Sequence, residues 1–367
     1  MNKKLIVPLG TIVVGIVVAV VYFLFEAAVR QSTNYVWETL FETDTRRWLV
    51  VPLCFVLTMG YFALQHKLDP KSEKGEDHGF GTMPKPTLVN LGKVLLIGFF
   101  SLLAGASLGP EAILVPACMI AGAYVGAKIL PGKPLAIKLL AGMGFIALFA
   151  AFFKSFLIGV LSIFLVSKQA KIKVTPELFG LAAVASASTI ITLHFLDSSA
   201  FFRLPHYHWH INLATIAAVG LLFFAGFFVT YGVNMLHDAF SKLNKLYAAK
   251  ESWWLRGAIA GLGLGILYLL GGQLVQFTGN ESIEPMLADA ATLGVIGLVW
   301  IMLIKLLAIS WSKTMGYRGG LVFPMVFVAS VLVALATMVV KDLNFIYGLL
   351  ATIAGLIAAN SKTKALF

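Results

Sequence analysis

The sequence predicts an all-α integral membrane protein whose helices are interrupted at membrane depth. Three observations predict it. Hydrophobic residues make up 59% of the 367 and charged residues only 12%, whereas a soluble domain carries roughly 25% charge. So little charge cannot cover a water-facing surface, which excludes a soluble enzyme, a secreted disulfide scaffold and a disordered chain. Mean hydropathy is +0.90, and apolar stretches near the ~20 residues that cross a ~30 Å hydrocarbon core recur along the chain. Two of these stretches are broken by Gly-Pro clusters, one in each half.

The elements follow in order. Residues 5–25 are apolar behind Lys3 and Lys4; they exceed a signal-peptide core and no small-residue cleavage site follows, so they read as a retained span. Residues 48–65 form a second, and 1–65 are the N-terminal membrane helices. Residues 66–93 carry alternating charge with Gly79, Gly81, Pro84 and Pro86 and read as a cytoplasmic polar loop. Residues 94–127 are apolar but broken by Gly105, Gly109, Pro110 and Glu111, each half being too short to span. Residues 139–166 are interrupted by Lys154, and 178–196 completes a first repeat core, 94–200. After an outer loop, 201–210, come 211–236, 257–275, 291–312, 320–340 and 343–359, the second repeat core, 211–367. Cys54 and Cys118 lie inside apolar runs and imply packing, not a redox framework.

The formal net charge is +11, from 28 Lys+Arg against 17 Asp+Glu. In a membrane protein such an excess sits in cytoplasmic loops, and nucleic acid need not be invoked. Residues 276–290 hold Glu281, Glu284 and Asp289 with no Lys or Arg, and face outward. Lys242, Lys245, Lys250 and Arg256 place 238–256 in the cytoplasm, as do Lys168, Lys171 and Lys173 for 167–177. The N-terminus is then cytoplasmic. Lys128, Lys133 and Lys138 dissent from this scheme.

The breaks carry the chemistry. One is Gly105-Ala-Ser-Leu-Gly-Pro-Glu111; the other is Gly316-Tyr-Arg-Gly-Gly-Leu-Val-Phe-Pro324. Irregular backbone is tolerated at bilayer depth only where it is buried or lines a polar cavity. Each break is followed by an apolar helical run, so each sets up a helix N-terminus, which carries roughly half a positive charge and favours anions. Breaks in both halves suit two repeats meeting at a midplane site. A fainter echo links Ala150–Gly159 to Ala358–Phe367. Gly257, Gly261 and Gly265 lack a nearby proline and read instead as a helix-packing face.

Ala104-Gly-Ala-Ser-Leu-Gly109-Pro110-Glu-Ala resembles the Gly-Arg-Glu-Gly-Pro motif of the CLC chloride channel/transporter family. Arg318-Gly-Gly-Leu-Val-Phe-Pro324 resembles its Gly-x-Phe-x-Pro motif, and Phe149–Gly159 its Ala-Ala-Phe-Asn-Ala-Pro-Leu-Ala-Gly run, with Lys154 where Asn is usual. The resemblance covers roughly residues 90–367. It implies two inverted-topology repeats of tilted and broken helices, a homodimer in the lipid bilayer of the cell membrane, and one anion path per subunit. It also implies main-chain anion binding at Gly109, Pro110, Glu111, Gly320, Leu321, Val322 and Phe323, with chloride as the family's default ion. Val322 stands where the family has Phe.

The departures are informative. The family's gating glutamate is Leu108 here, and the region of the inner proton glutamate, Ser162–Val166, holds no acid. The Gly-Ser-Gly-Ile-Pro motif has a weak echo in Gly79–Pro84, on the polar loop. The last helices of the family, with the pore tyrosine, are expected to be missing after Phe367. The expectation is therefore passive transport of chloride or a similar small inorganic anion. An anion/proton antiporter using Glu111, a secondary transporter of a small organic solute and a membrane-embedded enzyme are the alternatives.

The remaining candidates divide as follows. Glu111 either substitutes for the gate or simply caps its helix. Ser107 and Lys154 are pathway candidates; intramembrane cations are functional by default, although lysines also snorkel. Lys305, followed by Lys313, reads as structural. His206, His208 and His210 share a face in an extended chain, but no acid or cysteine nearby completes a metal site. With Tyr207 and Trp209 they read as an interfacial loop, as Trp253-Trp254 do. No metal or cofactor is expected.

Overall fold

The computed structural model describes residues 3–38, 44–70, 86–170, 172–198, 212–248 and 252–363. The histidine run 206–210, the echo at 79–84 and the last residues of the 358–367 echo lie outside the described residues. The described chain is predominantly helical, and nine of its helices are long and apolar enough to cross a membrane. It packs as two compact units. The first comprises Met1–Tyr35, Leu68–Phe99 and Glu111–Arg203, and the second Val36–Lys67, Phe100–Pro110 and Leu204–Phe367. This differs from the division expected along the sequence, because residues 36–67 and 100–110 join the second unit. A broken segment leaves backbone groups that need partners, and those of 100–110 are Trp37 and residues late in the chain.

In the first unit, α1 (Lys3–Thr33) packs on α5 (Pro134–Phe153) and α8 (Pro176–Phe195), and α4 (Glu111–Ile129) packs on α5. Small residues set these distances. A Cβ at Gly122 would stand 2.3 Å from the Leu140 carbonyl oxygen, and one at Gly144 would stand 2.3 Å from that of Cys118. Such close backbone approach replaces the hydrophobic drive that lipid cannot supply. The Thr189 hydroxyl donates to the Gly15 carbonyl at 3.2 Å, tying α8 to α1. The stretch over 139–166 breaks at Lys154, the residue read as interrupting it. α5 ends at Lys154, which is left-handed at φ 45, and Ser155 then caps α6 (Phe156–Leu161) by accepting from Ile158 N–H at 3.3 Å. α7 (Ile163–Ala170) follows.

The second unit holds α2 (Val50–Leu68), the end of α3 (Leu88–Leu103), α9 (Leu213–Ala248), α10 (Trp253–Gly271), α11 (Ile283–Ala288), α12 (Ala290–Met315), α13 (Val322–Val339) and α14 (Phe345–Thr363). α3 starts at Leu88, inside the region expected to be loop, and α11 lies within the expected outward loop 276–290. Gly261 and Gly265 lay α10 against α2, where added Cβ atoms would meet Phe55 Cα at 2.8 Å and Val51 Cα at 2.7 Å. This is the packing face expected of that glycine series. α9 and α14 use the same device at Gly226 and Gly355.

Candidate functional site

The first break begins where α3 stops. Gly105 turns left-handed at φ +94, and the Trp37 ring lies 3.0 Å from where its Cβ would be, so glycine is required twice over. Carbonyls released from the helix ladder find donors. Trp37 Nε1 donates to the Leu103 carbonyl at 3.0 Å, the Tyr268 hydroxyl to Gly105, and Thr278 Oγ1 to Leu108 at 2.9 Å. Ser107 N–H donates to Ser312 Oγ at 3.1 Å. Residues 101–110 are all buried.

The second break repeats this plan. Gly316 caps α12 at φ +96, and its carbonyl accepts from the Tyr61 hydroxyl at 2.9 Å. Arg256 Nε donates to the Met315 carbonyl at 2.8 Å. Tyr317 stacks on Tyr61 and shares a 2.7 Å hydrogen bond with Thr58. Arg318 N–H donates to Ser101 Oγ at 2.8 Å.

The two breaks meet. Gly109 N–H donates to the Gly320 carbonyl at 2.8 Å and Gly320 N–H to that of Gly109 at 2.7 Å, forming an isolated antiparallel bridge. Ser101 and Ser312 each stand eight residues before their bridging glycine, Gly105 and Gly316 four before, and Ser107 and Arg318 two before. Each serine hydroxyl accepts from the opposite break: Ser107 N–H on Ser312, and Arg318 N–H on Ser101. Within its own break, each serine carbonyl accepts from the residue after the left-handed glycine, Ala106 N–H at 3.2 Å and Tyr317 N–H at 3.1 Å. Such reciprocity, where i meets j and j meets i, is what a local two-fold axis produces.

The bridge decides which N–H groups are committed within the protein. Those of Gly109 and Gly320 are committed to each other, and Pro110 has none. In α13 the first intrahelical bond runs from Met325 N–H to the Leu321 carbonyl at 3.1 Å. Val322 and Phe323 open α13, an 18-residue helix whose N-terminal end is the positive pole of its dipole. Pro324 sits in that first turn, where a missing N–H costs no helical bond.

Of the other expected residues, Leu108 is fully buried in the first break. Ser107 is buried beside it. Glu111 opens α4 and belongs to the first unit, where a first-turn carboxylate complements the helix dipole. Lys154 also lies in the first unit; it is exposed, and its ammonium donates to the Ser198 carbonyl, so it holds a turn. Among the described residues no His, Cys, Asp or Glu cluster could hold a metal ion. A cavity of about 510 Å³ opens beside Tyr268, lined also by Arg47, Gln273, Gln276, Asp289 and Trp300. Sequence reading missed Trp37, Tyr268, Thr278 and Ser312. Each is an ordinary residue in its local run, and only the equal spacing of Ser101 and Ser312 from Gly109 and Gly320 was there to be found.

Residues 71–363 match the family model described as voltage gated chloride channel. A relative from Salmonella newport (strain SL254), YfeO, named as a candidate ion-transport protein, is 29% identical over 245 residues, 65% of this chain and 57% of the relative. The chain thus spans little more than half the length of the curated relatives it matches. Among solved structures, a slow cyanobacterial Cl−/H+ antiporter superposes with a TM-score of 0.73 at 20% identity, covering 97% of this chain and 85% of that one. A CLC-type fluoride/proton antiporter gives 0.70 at 15% identity, over 97% and 87%.

Proposed function

The chain belongs to the voltage-gated chloride channel family, and from that premise we propose that it passes chloride or another small inorganic anion passively across the cell membrane, with no fixed proton stoichiometry. Membership in that family makes it a channel or transporter, not an enzyme. One observation carries the passive reading: the residue directly before Gly109-Pro110 is Leu108, and it is fully buried in the bridged break. Proton-coupled exchange needs a titratable group that alternates with the anion and meets protons. Leucine holds no proton and cannot mimic a bound anion. The Ser162–Val166 stretch offers no second acid, and the Ser162 hydroxyl donates to the Gly159 carbonyl at 2.6 Å.

Anion binding in this reading is the work of main-chain dipoles. The positive end of the α13 dipole, around Leu321, Val322 and Phe323, favours the anion, with Gly109, Pro110 and Gly320 as the bridge behind it. No charged side chain is required, so selectivity follows size and dehydration energy. A homodimer with the N-terminus in the cytoplasm is the arrangement favoured by the loop charges and by the family resemblance.

The test is flux from liposomes carrying the purified chain, with chloride, fluoride and nitrate, with and without a pH gradient, at a voltage clamped by potassium and valinomycin. The expected result is anion flux indifferent to the proton gradient. Proton movement driven uphill by chloride would overturn the passive reading, and its loss in Glu111→Gln would identify the acid. No flux of any anion would overturn the reading as a whole.

A further inference from the structure

We infer that Lys305 is a positioning residue of the ion path: from within α12 it holds the Val275–Phe277 turn, and through that turn it holds the first break. The inference rests on the reading that the chain passes anions.

Lys305 is fully buried in a 26-residue apolar helix. Its partners are not carboxylates. Nζ donates to the carbonyls of Val275 at 3.0 Å and Phe277 at 2.6 Å, with that of Gln276 at 3.5 Å, and it stands 5.3 Å from the centroid of the Phe327 ring. Gln273–Val275 is a single 3-10 turn. Carbonyls at the end of such a turn point together with no further turn to bond them, and their dipoles favour a cation. An ammonium has three donors, and here three successive carbonyls receive them. The chain passes directly over the nitrogen, since a Cβ on Gly279 would lie 3.1 Å from Nζ.

The other side of the turn faces the first break. Phe277 is left-handed, at φ 53, a conformation that a bulky residue keeps only when its surroundings over-determine it. Three contacts do so. Lys305 holds its carbonyl, its N–H donates to the Tyr268 hydroxyl at 3.0 Å, and the Trp37 ring packs edge-on at 4.8 Å. Trp37 and Tyr268 are also the donors to Leu103 and Gly105 in the break. The next residue, Thr278, donates to Leu108. A single peptide unit therefore separates the lysine's strongest bond from the backbone of Leu108. A buried lysine is costly because it loses its hydration, and this arrangement gives that cost a use: one side chain fixes the carbonyl direction beside the bridge without touching the ion.

Lys305→Met removes the donors and keeps the length, Lys305→Arg keeps donors, and Thr278→Val cuts only the last link. Two readouts are taken on the full chain: the chloride-to-fluoride permeability ratio in liposomes, and hydrogen–deuterium exchange of the 101–110 segment. Both Lys305→Met and Thr278→Val are expected to shift the ratio in the same direction by about fivefold, the equivalent of one hydrogen bond, and to speed exchange at 101–110. The double variant goes no further than Lys305→Met, as residues acting through one network should, and Lys305→Arg recovers most of the ratio. A lysine that only packs would lower total flux with the amount of folded protein and leave the ratio and exchange alone, which would overturn the inference. If Lys305→Met does not fold, Thr278→Val decides by the same two readouts. If the wild-type chain passes no anion, the functional reading fails separately, and unchanged exchange at 101–110 overturns the inference on its own.

Discussion

The first break and the second share a frame and differ in how it is trimmed. Each turns on a left-handed glycine whose carbonyl takes a tyrosine hydroxyl, Tyr268 for Gly105 and Tyr61 for Gly316. Each lends a serine to the other. The cations differ. Arg256 bonds the second break directly, through the Met315 carbonyl, and its guanidinium lies 2.7 Å from where a Gly316 Cβ would be. On our inference Lys305 acts on the first break at one remove, through the 275–278 turn. Internal symmetry thus places the backbone, and each break is then finished with whatever side chains its own neighbours supply.

The strongest way to break the comparison is to break both halves at once. A Cβ on Gly319 would lie 2.4 Å from Leu108 Cβ and 3.1 Å from the Gly109 carbonyl oxygen, atoms that cannot swing aside. Gly319→Ala is expected to cost about 1–3 kcal/mol through overpacking and to abolish flux. Thermal unfolding in detergent and liposome flux check the two parts.

A matched pair sharpens it. Tyr268→Phe removes a donor to Gly105 and an acceptor from Phe277 N–H, and Tyr61→Phe removes a donor to Gly316 and an acceptor bonded by Ser101 and the Arg318 backbone. With each lost bond worth about 1 kcal/mol, the two variants should destabilise to a similar extent, by about 2–3 kcal/mol. Denaturation in a common detergent compares them, and markedly unequal losses would mean that the two breaks are braced differently.

The smallest effect belongs to the other lysine. Lys154 is exposed and bonds one carbonyl in its own unit, so Lys154→Met should stay within about 0.5 kcal/mol, as exposed substitutions do, with flux unchanged. A marked fall in flux without a fall in stability would put Lys154 back on the ion path.

The sequence by itself determined what depends on the local chain. Apolar runs partition into a bilayer by their own length, so the spans were legible, as was the glycine face of α10. Gly105, Gly316, Pro110 and Pro324 mark the breaks because glycine and proline act on their own φ. The absence of acid at Leu108 needed no structure. Only the tertiary structure decided the rest. Lys154 and Lys305 look alike in sequence, each a lone cation in an apolar run, yet one is exposed and the other fully buried among carbonyls. The N–H groups of Gly109 and Gly320, which a helix-end argument offers to an anion, are consumed by each other. Hydrogen-bond partners more than two hundred residues apart leave no local trace. They are chosen by which backbone groups the broken helices expose and which side chains the fold brings within about 3 Å of them.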